Sequence, residues 1–401
     1  MHRSTHPVSK FAPKRTTWVR RASAGLSMLT AVTASVPTAA QDASEVIASA
    51  KLAAVYAFSG PIAIYSTTIK HGLEMAQEEV NAQGGPRIDI AMEDDRSTKD
   101  DAINVYQKFI QRDNALLIFG PLTGGQVFAA APVAQRAKVP VMLTSVATPS
   151  VTGIGDYVFR TSVDSATIIP STVRVAKQNL GIAKVAQIYT NDDQADVGEF
   201  KAYEAALKAT SGIQVLDVET VRTGDVDFSA QLTKIKSLNP DTIVITTQGQ
   251  EAVGIMTQAR KLGMDKVHFL GGNSFNAAGV VKETGKAMEG ALSATPWFLG
   301  MTFPKNVEFV KKYRAKYSTD PDWLAAQSYD AVFVVKQALL NARIRKTDDT
   351  ATARTKLRDA LAATKTYDGV LGKIEFAANR DPVVAGAVIK VEGGKHVIAT
   401  K

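Results

Sequence analysis

Cysteine is absent from the 401-residue chain, and histidine occurs only five times. The lack of cysteine excludes disulfides, thiolate-bound zinc, iron–sulfur clusters and thiol nucleophiles. No apolar run reaches the roughly 18 residues that a membrane span needs. His2 and His6 lie within residues 1–40, and the other three histidines are far apart, so none of these three has an i, i+4 partner for a helical zinc site. No complete dinucleotide, P-loop or nucleophile-elbow motif is present. The sequence therefore predicts no enzyme, no metal site and no cofactor.

Positive charge is concentrated at the N-terminus. The chain holds 47 basic and 39 acidic residues, a net charge of +8. Six of the basic residues and none of the acidic ones lie within residues 1–40, which leaves 41 basic against 39 acidic residues, a difference of +2, for the remainder. This near-neutral remainder gives no electrostatic support for nucleic-acid binding.

Residues 1–40 have the layout of an export signal. Arg20-Arg21 precedes a short apolar run, and small residues then lead to Ala40, after which we place cleavage. A general or a twin-arginine export route, an organelle transit segment and a disordered tail are the alternatives considered. We favour general export. Without cysteine there is no site for a lipid anchor, so the mature protein is predicted to be free in a bacterial periplasm.

Strand and helix patterns alternate in two series from residue 50 onward, which is typical of parallel sheets covered by helices. The first series has strands at 52–58, 88–93, 115–119 and 141–144. The second has strands at 185–189, 215–221, 242–247 and 267–270. The C-terminal third adds helices at 306–317, 330–341 and 352–363 and strands at 373–376 and 387–391. These last strands are too few for a sheet of their own, so we expect them to complete the first two.

Four loops at predicted strand ends are rich in Gly, Ser and Thr: residues 58–65, 119–125, 144–149 and 271–276. Ligands of open α/β sheets bind at the carboxyl ends of strands. Hydroxyls and helix N-terminal N–H groups suit a carboxylate, and Tyr65 offers an aromatic wall. Ordinary turns and caps have the same composition, so this pattern alone leaves both interpretations open. Asp94-Asp95 and Asp192-Asp193 are interpreted as acidic turns rather than as catalytic pairs.

These loops, in this order, resemble the periplasmic solute-binding proteins of the leucine/isoleucine/valine type that serve ABC importers. The resemblance covers about residues 50–398 and is specific as a set. It is carried by residues 59–65, 79–85, 94–102, 148–161, 223–229, 258–263, 327–331 and 372–376.

The resemblance implies a two-lobed α/β fold of the type I periplasmic-binding-protein class, each lobe a mainly parallel sheet flanked by helices. Three hinge crossings are expected near residues 161–164, 293–296 and 375–380. The N-terminal lobe would then comprise 41–162 and 294–375, and the C-terminal lobe 163–293 and 376–401. A monomer would close on a small-molecule ligand and deliver it to the importer's membrane permease.

The resemblance also implies roles for individual residues. Thr123, Gly124 and Thr148 fall where relatives hold a ligand carboxylate, and a carbonyl of Val146 or Ala147 falls where they meet the ligand ammonium. The full set of expected ligand-binding residues is Ser59, Tyr65, Thr123, Gly124, Val146, Ala147, Thr148, Val197, Gln248 and Asn273.

Two departures concern the second lobe. Asn273 stands where amino-acid binders carry an acid, and residues 195–198 stand where relatives often have a tyrosine just before the first helix of that lobe. Gln248 stands where another cleft tyrosine is common, so this face of the cleft is expected to be more amide-like than in those relatives. Asp196 could replace the acid if it points inward, although Asp near a helix start is usually a cap. An aromatic acid or an amide therefore stays an alternative to an amino acid or small carboxylate. A periplasmic sensory subunit and an exported enzyme stay alternatives to an importer's binding protein.

Overall fold

The computed structural model describes residues 45–60 and 62–399. The predicted export signal at residues 1–40 lies outside the described residues. Within them, no helix combines the length and apolarity needed to cross a membrane. The predicted α/β architecture, with mainly parallel sheets flanked by helices, is confirmed.

The first sheet has five parallel strands in the order β2-β1-β3-β4-β5. β1 lies inside the sheet, and its run of five consecutive buried residues at the C-terminal end reflects cover on both faces. Along the chain, each of the strands β1, β2 and β3 is followed by a helix. The elements are β1 (Ser49–Tyr56), α1 (Ala63–Ala82), β2 (Arg87–Asp94), α2 (Lys99–Gln111), β3 (Ile118–Phe119), α3 (Gly124–Arg136), β4 (Val141–Leu143) and β5 (Val158–Arg160).

The second sheet has seven strands in the order β15-β14-β10-β9-β8-β6-β7. Its strands run parallel except at one edge, where β14 is antiparallel to β10 and β15 to β14. The elements are α4 (Ser165–Leu180), β6 (Lys184–Thr190), α5 (Gln194–Ala209), β7 (Gln214–Val221), α6 (Ser229–Ser237), β8 (Thr242–Thr246), α7 (Gly249–Lys261), β9 (His268–Gly271), α8 (Ala278–Thr284), β10 (Leu292–Thr295), β14 (Ala387–Glu392) and β15 (Lys395–Ile398).

The C-terminal third adds helices to the first sheet's core and forms a small sheet of its own. α10 packs along α1, and its apolar residues share one buried cluster with β1. The prediction that the late strands only complete the two large sheets holds for β14 and is wrong for residues 373–376, which join a separate antiparallel sheet. The elements are α9 (Pro304–Tyr317), α10 (Trp323–Ala342), α11 (Thr350–Ala363), β11 (Thr366–Gly369), β12 (Gly372–Phe376) and β13 (Pro382–Val383).

The chain passes between the two large sheets three times. The first passage, residues 161–164 between β5 and α4, lies where it was predicted. The second starts only after Thr295, because Ala294 and Thr295 still pair with β14. The third covers residues 384–386, because Pro382 and Val383 still pair with β12. The crossings predicted at 293–296 and 375–380 were therefore placed too early. The division into two lobes stays a prediction.

Candidate functional site

A cavity of about 500 Å³ opens where the carboxyl ends of strands from both large sheets meet. This volume lies in the usual range of small-molecule pockets. Two walls of different chemistry enclose it. We call them the hydroxyl wall (Leu122–Gly125 and Ser145–Thr148, with Lys99) and the acidic wall (Asp192–Asp196, Glu199, Gln248, Gly249, Asn273 and Ser274).

The hydroxyl wall is built on the N-terminus of α3. Thr123 caps this helix through a capping box: its hydroxyl accepts from the Gln126 N–H at 3.4 Å, and Gln126 Oε1 accepts from the Thr123 N–H at 3.2 Å. The first-turn N–H groups of Gly124 and Gly125 have no intrahelical acceptor, and both residues line the cavity. The positive end of the helix dipole adds to these donors. This wall therefore suits an anion.

Thr148 brings a second hydroxyl to the same wall. A Cβ at Gly124 would collide with this hydroxyl, so only glycine allows the two loops to pack this closely. The Thr148 carbonyl accepts from Arg160 Nη1 at 3.0 Å. Arg160 is fully buried and also donates to Asp164 at 3.2 Å and to Asp381 at 2.7 Å. The Arg160 guanidinium thus joins the Thr148 loop to residues beside the first and third passages of the chain between the two large sheets.

Of the two carbonyls expected to meet a ligand ammonium, one already accepts a hydrogen bond. The Val146 carbonyl accepts from the Ser162 hydroxyl at 2.8 Å, so Ala147 is the better candidate for a free carbonyl. Ser145, which also lines the cavity, donates to the Leu122 carbonyl at 3.3 Å. These bonds hold the third loop in place.

The acidic wall is built on the first turns of α5. Asp193 is the cap of this helix, and its Oδ1 accepts from the N–H groups of Ala195 and Asp196 at 2.8 and 3.0 Å. Asp196 is therefore not the cap. It is 3 % exposed, and its Oδ1 accepts from Gln248 Nε2 at 3.2 Å. Burial, with Glu199 and Asp193 nearby, raises the pKa of Asp196 to about 9.

Glu199 lies one turn after Asp196 and braces the fourth loop. Both of its carboxylate oxygens accept from the Asn273 N–H, at 3.0 and 3.2 Å. A Cβ at Gly272 would collide with this carboxylate. Burial raises the pKa of Glu199 to about 7, although the Asn273 N–H partly offsets the effect. The amides of Gln248 and Asn273 line this wall, and two buried acids, Asp196 and Glu199, lie beside them.

Apolar side chains close the space between the two walls. They come from the first and second loops, from the start of α10 and from the region of α8. Tyr65 is 38 % exposed, and burial followed by the charge of Glu251 raises its pKa. The apolar lining consists of Ile62, Tyr65, Leu122, Ala277, Val280, Trp323 and Leu324. Within the described part of the chain, no group of three or more acidic or histidine side chains could hold a metal ion.

Eight of the ten residues expected from the sequence line this cavity. Ser59 does not: it is exposed, and its hydroxyl donates to Asp94 at 2.6 Å, which fixes the first loop against the end of β2. Val197 does not line it either, because successive helix residues point about 100° apart and Asp196 and Glu199 occupy the cavity face. The eight are Tyr65, Thr123, Gly124, Val146, Ala147, Thr148, Gln248 and Asn273.

Sequence reasoning missed three groups of lining residues. Glu199 was overlooked although it lies three residues after Asp196, a spacing that puts both on one helix face. Trp323 and Leu324 begin α10, far along the chain from any strand-end loop of the two large sheets, and Lys99 begins α2. For these last residues no local motif indicates a site.

Comparison with known proteins identifies the family. Residues 49–395 match the family model described as Periplasmic binding protein. The chain is 25% identical over 306 residues to Leu/Ile/Val-binding protein homolog 7 of Brucella abortus, covering 72% of this chain and 76% of that protein.

Two solved structures share the fold over most of the chain. The leucine-binding protein LivK of Thermotoga maritima is 28% identical, with a TM-score of 0.77 over 87% of this chain and 97% of that one. LivJ of Streptococcus pneumoniae, in complex with isoleucine, is 27% identical, with the same TM-score and coverage. The predicted fold class and family are confirmed: the chain belongs to the periplasmic binding protein family, has the type I fold, and is a substrate-binding protein of the ABC-transporter type.

Proposed function

We propose that the protein is exported to the periplasm, captures an amino acid or related small carboxylate in the cavity between its two sheets, and delivers it as a monomer to the permease of an ABC importer. The observation that carries this proposal is the hydroxyl wall, where the N-terminus of α3 and Thr148 converge on one side of the cavity. Helix N-termini and hydroxyls are the donors that carboxylates prefer. The relatives named above bind leucine or isoleucine, which supports this ligand class.

The ligand's carboxylate would accept from the N–H groups of Gly124 and Gly125 and from the Thr148 hydroxyl. Its side chain would lie against the apolar surface of Leu122 and Trp323. Tyr65, Ala147, Gln248 and Asn273 complete the proposed site. Ser59 and Val197 are left out of it, because neither lines the cavity.

Ligand capture would close two lobes around the cavity. The first lobe would hold the first sheet with α9–α11 and the small sheet, and the second lobe the seven-stranded sheet. The third loop already touches α5, since a Cβ at Gly198 would lie 3.0 Å from Pro149 Cδ. A ligand that bonds to both walls stabilises this closed arrangement relative to an open one.

A thermal-shift screen tests the proposal. The full chain is expressed with its N-terminal segment, and the exported protein is unfolded and refolded to remove carried-over ligand. A bound ligand at 100 times its Kd adds about 2.7 kcal/mol of stability, which raises the melting temperature measurably. We expect a rise with at least one amino acid or small carboxylate. The absence of any shift across amino acids, aliphatic acids and aromatic acids would contradict ligand capture, and an intact N-terminus on the purified protein would contradict export.

A further inference from the structure

A second cavity, of about 140 Å³, lies where the end of α11 and the turn after β12 (residues 377–381) meet β5. Among the described residues, none that lines it also lines the first cavity between the two large sheets. We propose that the second cavity is a binding site for a small carboxylate with a compact apolar body, and that Arg380 holds the carboxylate. This site is separate from the first cavity and does not depend on what that cavity binds.

Four large apolar side chains line the second cavity. They are Phe159 of β5, Val334 of α10, Leu361 of α11 and Phe376 of β12. The first three of them are buried in the protein. An apolar cavity of about 150 Å³ accommodates a benzene ring. The volume therefore suits a ligand whose apolar part is one small ring or a short branched chain.

Arg380 adds a positive charge to this lining and forms no ion pair in the described part of the chain. Its Nε donates to the Val158 carbonyl at 3.0 Å, and its Nη2 donates to the carbonyls of Thr152 and Gly155 at 2.6 and 3.1 Å. These three acceptors are neutral, and Nη1 has no hydrogen-bond partner among the described residues. A guanidinium in this state is suited to a carboxylate, since a charge-assisted hydrogen bond is stronger than one between neutral groups.

The turn that carries Arg380 is held in place by its neighbours. The Arg380 N–H donates to the Ala377 carbonyl at 2.8 Å, and the Ala377 N–H donates to the Asp381 carbonyl at 2.9 Å. The Asp381 side chain accepts from Arg160 at 2.7 Å and from the Thr152 hydroxyl at 2.9 Å. Arg380 itself has a left-handed backbone, with φ of 70°, which is uncommon for a residue other than glycine. Its guanidinium is therefore preorganised, which lowers the entropic cost of binding.

The other charged residues around the second cavity do not cancel the charge of Arg380. Arg358 of α11 pairs with Asp156 and with Asp359, so these three side chains together carry one negative charge. Lys365 is exposed beyond the end of α11. Three basic and two acidic residues thus line the cavity, a difference of +1. An apolar lining with one uncompensated guanidinium favours an anion over a neutral molecule of the same shape.

Fluorine NMR with 4-fluorobenzoate tests the site in solution, and 4-fluorobenzamide is the neutral probe of nearly the same shape. The full chain is expressed with its N-terminal segment, and the exported protein is unfolded and refolded before titration. We expect 4-fluorobenzoate to bind with a Kd of about 1 mM or tighter. The amide should bind at least about tenfold more weakly, because it cannot form the charge-assisted hydrogen bond.

Two variants close the proposed site in different ways. Arg380→Gln removes the positive charge, whereas Ala378→Trp places an indole ring at the cavity and keeps Arg380. Each should weaken 4-fluorobenzoate binding at least about tenfold. The matched controls are Arg345→Gln, which removes an exposed cation elsewhere, and Ala351→Trp, at an exposed position of α11 outside both cavities. Both controls should keep the Kd within about twofold of the wild type.

Thr148→Ala distinguishes the two cavities, because Thr148 lines only the first. Binding in the second cavity should be unchanged in this variant, and a probe that occupies both cavities should lose one of two binding steps in Arg380→Gln and in Ala378→Trp. Binding that Thr148→Ala weakens and that both other variants leave unchanged would overturn the inference. A wild-type Kd weaker than about 10 mM, or equal binding of the acid and the amide, would also overturn it.

Discussion

The two walls of the cavity differ in the chemical groups that can interact with a charged ligand. The hydroxyl wall uses backbone N–H groups and neutral hydroxyls, whose donors are fixed by a capping box and by the close packing of Gly124 on Thr148. The acidic wall uses buried carboxyls, whose charge depends on what surrounds them. The donors of the first wall therefore keep their character at any physiological pH, whereas the charge of the second wall changes with pH.

The largest expected effect concerns the support of the hydroxyl wall. Arg160→Met removes the guanidinium that joins Thr148, Asp164 and Asp381, and it leaves the buried Asp164 and the partly buried Asp381 without this ion-pair partner. Breaking a buried ion pair in this way costs about 3–5 kcal/mol of unfolding free energy. Urea unfolding measures the loss. The control is Arg354→Met, since Arg354 donates only to the carbonyls of Ala115 and Ile110 and frees no acid; an equal loss in both variants would contradict the special role of Arg160.

The next effect concerns the hydroxyl wall itself. Thr148→Ala should weaken binding of any carboxylate ligand by about 1.5–3 kcal/mol, the usual contribution of a hydrogen bond to a charged group. Titration calorimetry with the ligand found by the screen measures the change. Thr364→Ala, whose hydroxyl bonds within α11, serves as the control. An unchanged Kd in Thr148→Ala would remove this hydroxyl from the site.

A smaller effect concerns the approach of the two walls. Gly198→Leu places a side chain against Pro149, and overpacking of this kind costs about 1–3 kcal/mol in the closed arrangement. Because an open arrangement relieves the clash, ligand affinity should fall while the melting temperature of the ligand-free protein changes little. Gly279→Leu, at a helical glycine with open space around it, is the control. Equal affinities in the two variants would contradict wall closure at this point.

The smallest effect concerns the acidic wall without ligand. The folded-state pKa values of Asp196 and Glu199 are raised to about 9 and about 7, above their unfolded values. The folded protein therefore holds more protons than the unfolded chain, and the stability gained from their neutral forms is lost as pH rises through these values. The melting temperature should fall between pH 5 and about 9, and Asp196→Asn should reduce the fall by a few degrees. A slope that this substitution leaves unchanged would contradict the burial of an unpaired acid.

The same contrast explains what could be predicted from the sequence. Strand and helix periodicity indicated the parallel sheets, and Gly, Ser and Thr at strand ends indicated the hydroxyl wall, because its donors belong to short local segments. The acidic wall could not be predicted as well. Asp193 and Asp196 look alike in the sequence, and only the packing of α5 on Gln248 and Asn273 makes one a cap and the other a buried acid. The third passage was misplaced because the short strand Pro382–Val383 pairs with β12.

A crystal structure of the refolded protein with the amino acid that gives the largest thermal shift tests the central claim most directly. We predict that the ligand carboxylate lies within about 3 Å of the N–H groups of Gly124 and Gly125 and of the Thr148 hydroxyl, the distance of a charge-assisted hydrogen bond. A ligand whose carboxylate contacts neither the N-terminus of α3 nor Thr148 would contradict the role assigned to the hydroxyl wall.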